Sequence, residues 1–385
     1  MVLLKLLFRN AFRHRLRTSL TILSITIAIL AFGLLRTVIS AWYAGAQGTS
    51  ANRLITRNAV SLIFPLPLSY KDKIRQVDGV QQVSYGNWFG GVYIDEKNFF
   101  ANYAVEAKSA LELYPEYILP PAEREAFLRD RKAFFAGRKL VERFRWRIGD
   151  IITLKGTIYP GNWEFVLRGI YHGRDQNTDE TIFYFHWDYL NETMKKTTPA
   201  LADQVGFYII GVTNPNRAAE VAVAVDRTFK NSLSETLTET EKAFVLSFIA
   251  MSDAIILVIQ FVSFVVIIII IAVAANTMSM TARERTGEYA IFKTLGYRGW
   301  RIAGMIVGES LLITLAGCFL GILLTTPAAK VFTRFVGTYF PLFRVEDETI
   351  YLDIAASIVV GLCAAIVPAW RATRIRIADG LRRIG

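Results

Sequence analysis

Two of the chain's three histidines, His172 and His186, fall in one polar stretch, YHGRDQNTDETIFYFHWDY, together with Asp175, Asp179, Glu180 and Asp188. Imidazoles and carboxylates at close quarters are the raw material of a metal site or an acid–base pair. Their spacing matches no ligand pattern such as H-E-x-x-H. A polar loop running into an alternating strand is therefore the favoured reading. The two cysteines, Cys318 and Cys363, both sit in apolar runs, so neither a disulfide framework nor a cysteine metal site is expected. There is no G-x-S-x-G elbow and no G-x-x-x-x-G-K-[ST] phosphate loop. No catalytic or metal residue is assigned, and no cofactor is expected in this chain.

The remaining chemistry-bearing residues lie beside apolar segments. Glu309 interrupts an apolar run, where a carboxylate is costly and by default functional. Access to water or to Arg301 near the membrane face is the bland alternative. Gly304-x-x-x-Gly308 and Gly317-x-x-x-Gly321 in the same run allow close helix approach, within the chain or between two copies. The loop Asn276–Arg301, NTMSMTARERTGEYAIFKTLGYRGWR, carries mixed charges and a short helical pattern over Glu288–Leu295, closed by Gly296. Tyr289, Ile291 and Phe292 on that helix make it a candidate docking surface.

The chain has 385 residues, 53% of them hydrophobic. Four stretches reach the roughly 20 apolar residues that cross a bilayer: about Thr18–Ile39, Ala254–Ala275, Ile302–Thr326 and Leu352–Trp370. The first is longer than the ~7–15-residue apolar region of a secretory signal, so it reads as an uncleaved anchor. Leu3, Leu4, Leu7, Phe8, Ala11 and Phe12 recur at helical spacing ahead of it. They predict either an interfacial helix or an extension of the first span.

The net charge is +11. The N-terminal segment, the loop after the second span and the C-terminal tail together hold fifteen Lys/Arg and three acids. The rest of the chain holds 29 basic and 30 acidic residues. The positive excess thus sits on one side, which predicts that the N- and C-termini lie on the cytoplasmic side of the membrane. It also accounts for the charge without nucleic acid, for which no aromatic-rich binding motif is present.

Three segments follow: 1–45 with the first span, 46–245 as an extracytoplasmic domain, and 246–385 with spans two to four and the loop 276–301. The fold class expected is an α+β membrane protein, with four spans and a large α+β domain, in one or two lobes, between the first two. Within that domain 149–156 and 164–170 read as strands. Tyr70–Val77, Pro121–Arg147 and Asn216–Lys230 read as helical. The nine Lys/Arg of 124–147 read as a solvated face. From Thr238 to Ala275 no Gly or Pro intervenes, predicting one continuous helix of roughly 57 Å that could carry a mechanical signal.

Ala282 to Gly296 (ARERTGEYAIFKTLG) resembles the loop of the MacB/FtsX permease family, roughly ReRt.EigilkalGa. Glu309-Ser310-Leu311-Leu312, Gly317 and Gly321 are similar to that family's third span. Pro368-Ala369, Arg371-Ala372 and Leu381-Arg382 are similar to its C-terminal signature, and Arg17-Thr18 fits before the first span. Gly137, Leu140, Gly149-Asp150 and Val166…Gly169-Ile170 resemble its periplasmic core. Ile377 stands where the family usually has proline.

The resemblance implies a mechanotransmission ABC permease without catalytic activity of its own. A separate ABC ATPase would bind the ATP and Mg. A second permease copy would complete a homodimer among membrane lipids, with a periplasmic adaptor as a further partner. Arg283, Glu284, Arg285, Glu288, Ile291, Lys293, Leu295 and Gly296 would couple to the ATPase. Gly304, Gly308, Glu309, Gly317, Gly321 and Pro368 would pack the spans. The cargo would be a lipid, lipoprotein, peptide or drug. An FtsX-like regulator of a periplasmic enzyme and a membrane-anchored periplasmic enzyme are the competing expectations.

Overall fold

The computed structural model describes residues 11, 13–336, 340 and 342–375. The interfacial pattern before Ala11 and the Leu381-Arg382 signature lie outside the described residues. The chain divides into two compact units, one helical (segments up to Ala41, Ser252–Val336 and from Phe343 onward), the other built on Trp42–Met251.

Four long helices dominate the chain: α1 (Arg15–Gln47), α9 (Asp253–Glu284), α11 (Gly299–Val336) and α12 (Asp347–Thr373). Each is long and apolar enough to cross a membrane. Many of their large side chains remain outward, among them Leu23, Phe261, Phe264, Phe319, Leu323 and Ile366. Such faces suit lipid rather than water. Glycines set the close approaches. A Cβ on Gly317 would fall 2.6 Å from Ile25 Cγ2, and one on Gly321 2.8 Å from Ile29 Cβ. This glycine pair therefore packs α11 on α1 within the chain. Gly361 lets α12 approach Thr314 and Leu311 of α11 in the same way.

The second unit is α+β. Its strands are β1 (Arg53–Asn58), β2 (Leu66–Pro67), β3 (Val80–Trp88), β4 (Asn102–Val105), β5 (Tyr117–Ile118), β6 (Ala133–Gly137), β7 (Ile151–Gly156), β8 (Gly161–Gly173), β9 (Phe183–His186), β10 (Gln204–Val205), β11 (Phe207–Val212) and β12 (Thr236–Thr240). Ten of them make one sheet in the order β12-β1-β11-β3-β4-β9-β6-β8-β5, with β7 on β8; β2 and β10 pair separately. Most neighbours are antiparallel, but β4/β9 and β6/β8 run parallel. The helices of this unit are α2 (Tyr70–Arg75), α3 (Ala107–Leu113), α4 (Pro121–Arg129), α5 (Arg138–Phe144), α6 (Trp187–Thr197), α7 (Ala218–Thr228) and α8 (Glu241–Ala250).

Its core is aromatic: Phe89, Phe134, Phe165, Phe183 and Phe185 are all fully buried. The alternation of β8 puts Trp163, Phe165 and Leu167 inward. Gly137 is required where the chain passes Glu180, since a Cβ there would lie 2.0 Å from that carbonyl oxygen.

Two expectations fail. The helical reading of Pro121–Arg147 is interrupted by β6, whose AFFAG is buried at all five positions. An apolar run buried on both faces carries no period that separates strand from helix. The continuous helix from Thr238 is also absent. Thr236–Thr240 is an edge strand on β1, and α8 ends before a turn at Met251–Ser252. Three threonines favour the strand, and the Thr240 hydroxyl caps α8 by accepting from Ala243 N.

Candidate functional site

Between α9 and α11 the chain forms a short helix, α10 (Thr286–Thr294). Arg285 separates it from α9 with φ −100° and ψ 14°, outside helical geometry. Gly296, at φ +86°, ends the turn after α10, a conformation that favours glycine.

The inner side of this loop is held by ions. Arg285 is buried; its Nη1 donates to Glu309 Oε2 of α11 at 2.8 Å and its Nε to Glu288 Oε2 at 2.9 Å. Arg13 donates to the other oxygen of Glu288. Burial opposes the Glu288 carboxylate, but the hydrogen bonds from Arg285 and Arg13 outweigh it and hold its pKa below the usual value. Tyr289 is buried beside Arg285, with the guanidinium 5.5 Å from the ring centre, and burial pushes its phenol up to about 12. Arg17 grips Glu284 with two bonds of 2.7 Å. Lys293 donates to the carbonyls of Thr373 and Ile375 at 2.9 and 2.7 Å, satisfying the end of α12.

The outer side is different. Ile291, Leu295, Tyr297 and Trp300 are exposed, Leu295 and Trp300 by 70% and 66%. Arg283 and Gly296 are exposed too.

The eight residues expected to couple to a partner therefore divide. Arg285, Glu288 and Lys293 tie the loop to its own bundle, and Glu284 holds α1. Arg283, Ile291, Leu295 and Gly296 face outward. Glu309 meets Arg285 rather than Arg301, which lies against the Trp300 ring. Of the glycines expected in packing, Gly317 and Gly321 meet α1, whereas Gly304 faces open space. Gly308 is half-buried, and Pro368 is buried within α12. Sequence reasoning missed Tyr297 and Trp300 as outward groups, and Arg13 and Arg17 as partners of the loop. The only available signal was the aromatic–basic run YRGWR.

His172 and His186 are not brought together. Phe185 shares a row with Phe134 and Leu167, five residues along β8 from His172, roughly 16 Å at strand rise. His186 is buried, with Nε2 2.7 Å from the Phe127 carbonyl, and desolvation lowers its pKa. His172 is exposed. Among the described residues no group of three or more His, Cys, Asp or Glu could hold a metal ion.

A second cluster sits in the α+β unit. Arg53 Nε donates to Glu241 Oε2 at 2.8 Å, and its Nη2 to Glu116 Oε1 at 2.5 Å. Its guanidinium covers the Tyr114 ring at 4.1 Å. Tyr114 donates to Glu241 at 3.0 Å, and Ser50 N to the same carboxylate at 3.2 Å. Burial pushes the Tyr114 phenol well up. Glu241, the first residue of α8, thereby fastens the segment that enters this unit to the segment that leaves it.

The chain is 24% identical over 169 residues to the macrolide export ATP-binding/permease protein MacB of Chromobacterium violaceum. The match covers 44% of this chain and 26% of that protein, so the chain spans about a quarter of the relative's length. Two solved structures are similar at low identity. One is the extracellular domain of the noncanonic ABC-type transporter YknZ from Gram-positive bacteria, at 11% identity and TM-score 0.37, covering 49% of this chain and 100% of that one. The other is a domain of a protein described as a permease from Porphyromonas gingivalis, at 12% identity and TM-score 0.33, covering 49% and 90%. Residues 260–377, the stretch holding most of α9, α10 and the last two long helices, match the FtsX-like permease C-terminal family, and in that stretch the chain is similar to FtsX-like permeases.

Proposed function

We propose that this chain is the permease subunit of an ABC transporter of the bacterial inner membrane, driven by a separate ATPase. The carrying observation is the two-sided loop around α10. Outward, Ile291, Leu295, Tyr297 and Trp300 offer an apolar surface that water does not favour. Inward, Arg285, Glu288, Glu309 and Lys293 fix the loop to α11 and α12. A partner that moves α10 therefore moves the bundle. The MacB relative's name joins ATP binding to permease function.

In this reading the loop and both termini are cytoplasmic, as the basic flanks favour. The α+β unit lies outside the cytoplasm and is reshaped when the ATPase dimer closes. A second copy of the chain completes the transporter. Cargo is a lipid, lipoprotein, peptide or drug handled on the outer side, with or without a periplasmic adaptor.

The test is co-purification of an ABC ATPase with the tagged chain in mild detergent, comparing wild type with Leu295→Glu and Ile291→Asp. Both side chains are exposed, so folding is spared. Stoichiometric ATPase with wild type and at least tenfold less with either variant supports the assignment. Equal recovery from all three moves the docking surface elsewhere. Absence of any ATPase from intact wild type removes the permease reading.

A further inference from the structure

Asp353 sits six residues after the start of α12, about 9 Å along the helix, and is 1% exposed. Both its carboxylate oxygens are buried without a hydrogen-bond partner. The walls around it come from other helices. A Cβ on Gly33 of α1 would lie 3.1 Å from Asp353 Oδ2 and 3.1 Å from Thr325 Cγ2 of α11. The Thr325 hydroxyl is committed to the Gly321 carbonyl at 2.8 Å, and the Cys318 thiol points to the Asp353 backbone oxygen at 3.6 Å. Neither answers the carboxylate.

The complementary group is one turn away. Arg36 follows Gly33 by three residues and so shares its face of α1. Its Nε is also buried without a partner. Its guanidinium comes only to 3.9 Å from Glu348, whose side chain is 74% exposed. Long side chains on a helix lean toward its N-terminus. In this packing Arg36 reaches toward Glu348, but the same helical preference lets its side chain turn toward the Gly33 side of α1, the side on which Asp353 lies. An unanswered guanidinium nitrogen and an unanswered carboxylate in an apolar bundle are each costly, and pairing removes both costs.

We propose that Arg36 and Asp353 are a latent intramembrane ion pair. It closes in a second packing of α1 against α12, Arg36 exchanging between Glu348 at the outer end of α12 and Asp353 one turn deeper. Gly33 is what lets the α1 backbone lie this close to the carboxylate, since a Cβ there would already crowd Asp353 Oδ2 and Thr325, so the pair closes by a shift of α1 along α12 and not by passage of the side chain through a gap. This rests on the bundle alone and holds whatever partner the loop engages.

The test is a double-mutant cycle on the full chain in lipid nanodiscs, read as the thermal unfolding midpoint. With the paired packing populated in the bilayer, Arg36→Gln and Asp353→Asn each strand the other's charge and are expected to lower the midpoint by several degrees. The double variant is expected to lose no more than the larger single loss, because each single already breaks the one contact the two residues share. Additive losses would overturn the proposal, as the two groups would then never meet. A wild-type midpoint for Asp353→Asn would overturn it as well, because the carboxyl would then need no cation. Should the single variants fold poorly, the exchanged pair Arg36→Asp with Asp353→Arg decides. Folded yield above either single supports the pair, and no recovery refutes it.

Discussion

Arg285 and Glu309 are separated by 24 residues and meet at 2.8 Å in a buried pair. Removing one member of such a pair leaves a charge with no solvent to receive it, at about 3–5 kcal/mol. Glu309→Leu should therefore lower the denaturation midpoint sharply, whereas Arg285→Leu with Glu309→Leu should recover much of the loss. Chemical denaturation in detergent measures both, and equal losses would show the pair to be no unit. His186 makes a second prediction at this scale. Its folded pKa lies below the unfolded value because burial disfavours the charged ring. The unfolded state thus takes up the proton first, and stability falls as pH drops below about 6.5, until the folded ring is protonated too. His186→Asn should flatten that part of the pH profile, read by hydrogen exchange of the α+β unit in the full chain. Glu309 was legible in the sequence as a costly charge, but its partner was not. Arg301 is nearer along the chain, and only the turn at Arg285 brings that guanidinium across to α11. Asp353 was overlooked because it stands at the polar start of a span, where a carboxylate draws no notice until its burial is seen.

At the level of elements, the four long helices and α10 could be read from apolar length and from the Gly296 stop. The α+β strands at Ile151–Gly156 and Gly161–Gly173 could be read from alternation. What failed had a common cause. β6 is buried on both faces and carries no period, while β12 has only five residues of strand-like alternation ahead of a long apolar run, and the state of each is decided by neighbours, β8 and β9 for one and β1 for the other. Pattern reasoning has no access to those neighbours. Gly296 offers a clean test of an element boundary. Its φ is +86° and an added Cβ would meet nothing within 4 Å, so a substitution there is penalised by the backbone alone. Gly296→Val should cost about 1–2 kcal/mol and loosen the turn after α10 without altering helix packing. Faster amide exchange confined to Lys293–Arg298 is the expected signature. An unchanged exchange pattern would mean that the turn relaxes to accept the side chain.

The whole molecule carries its charge unevenly, and this bias joins the sequence to the proposed working orientation. Fifteen basic residues and three acids lie in the N-terminal segment, the α9–α11 loop and the C-terminal tail, against near balance elsewhere. Translocating those segments is disfavoured, so all three are expected on the cytoplasmic side. The α+β unit, entered after α1 and left before α9, then falls on the opposite side. Two exposed leucines report the two sides: Leu295 in the loop and Leu233, fully exposed, between α7 and β12. In a background with Cys318 and Cys363 replaced, Leu233→Cys should react with a membrane-impermeant maleimide on cells whose outer membrane has been opened. Leu295→Cys should react only after the inner membrane is disrupted. The reverse pattern would place α10 outside, away from ATP, and would end the case for an ATPase docking there. Labelling of both in intact inner membranes would mean that at least one of the four helices does not span. The expected pattern would put the apolar face of α10 where an ATPase can reach it and the Arg53–Glu241 clamp on the side where cargo would be handled, so that any signal between them has to pass through the four helices.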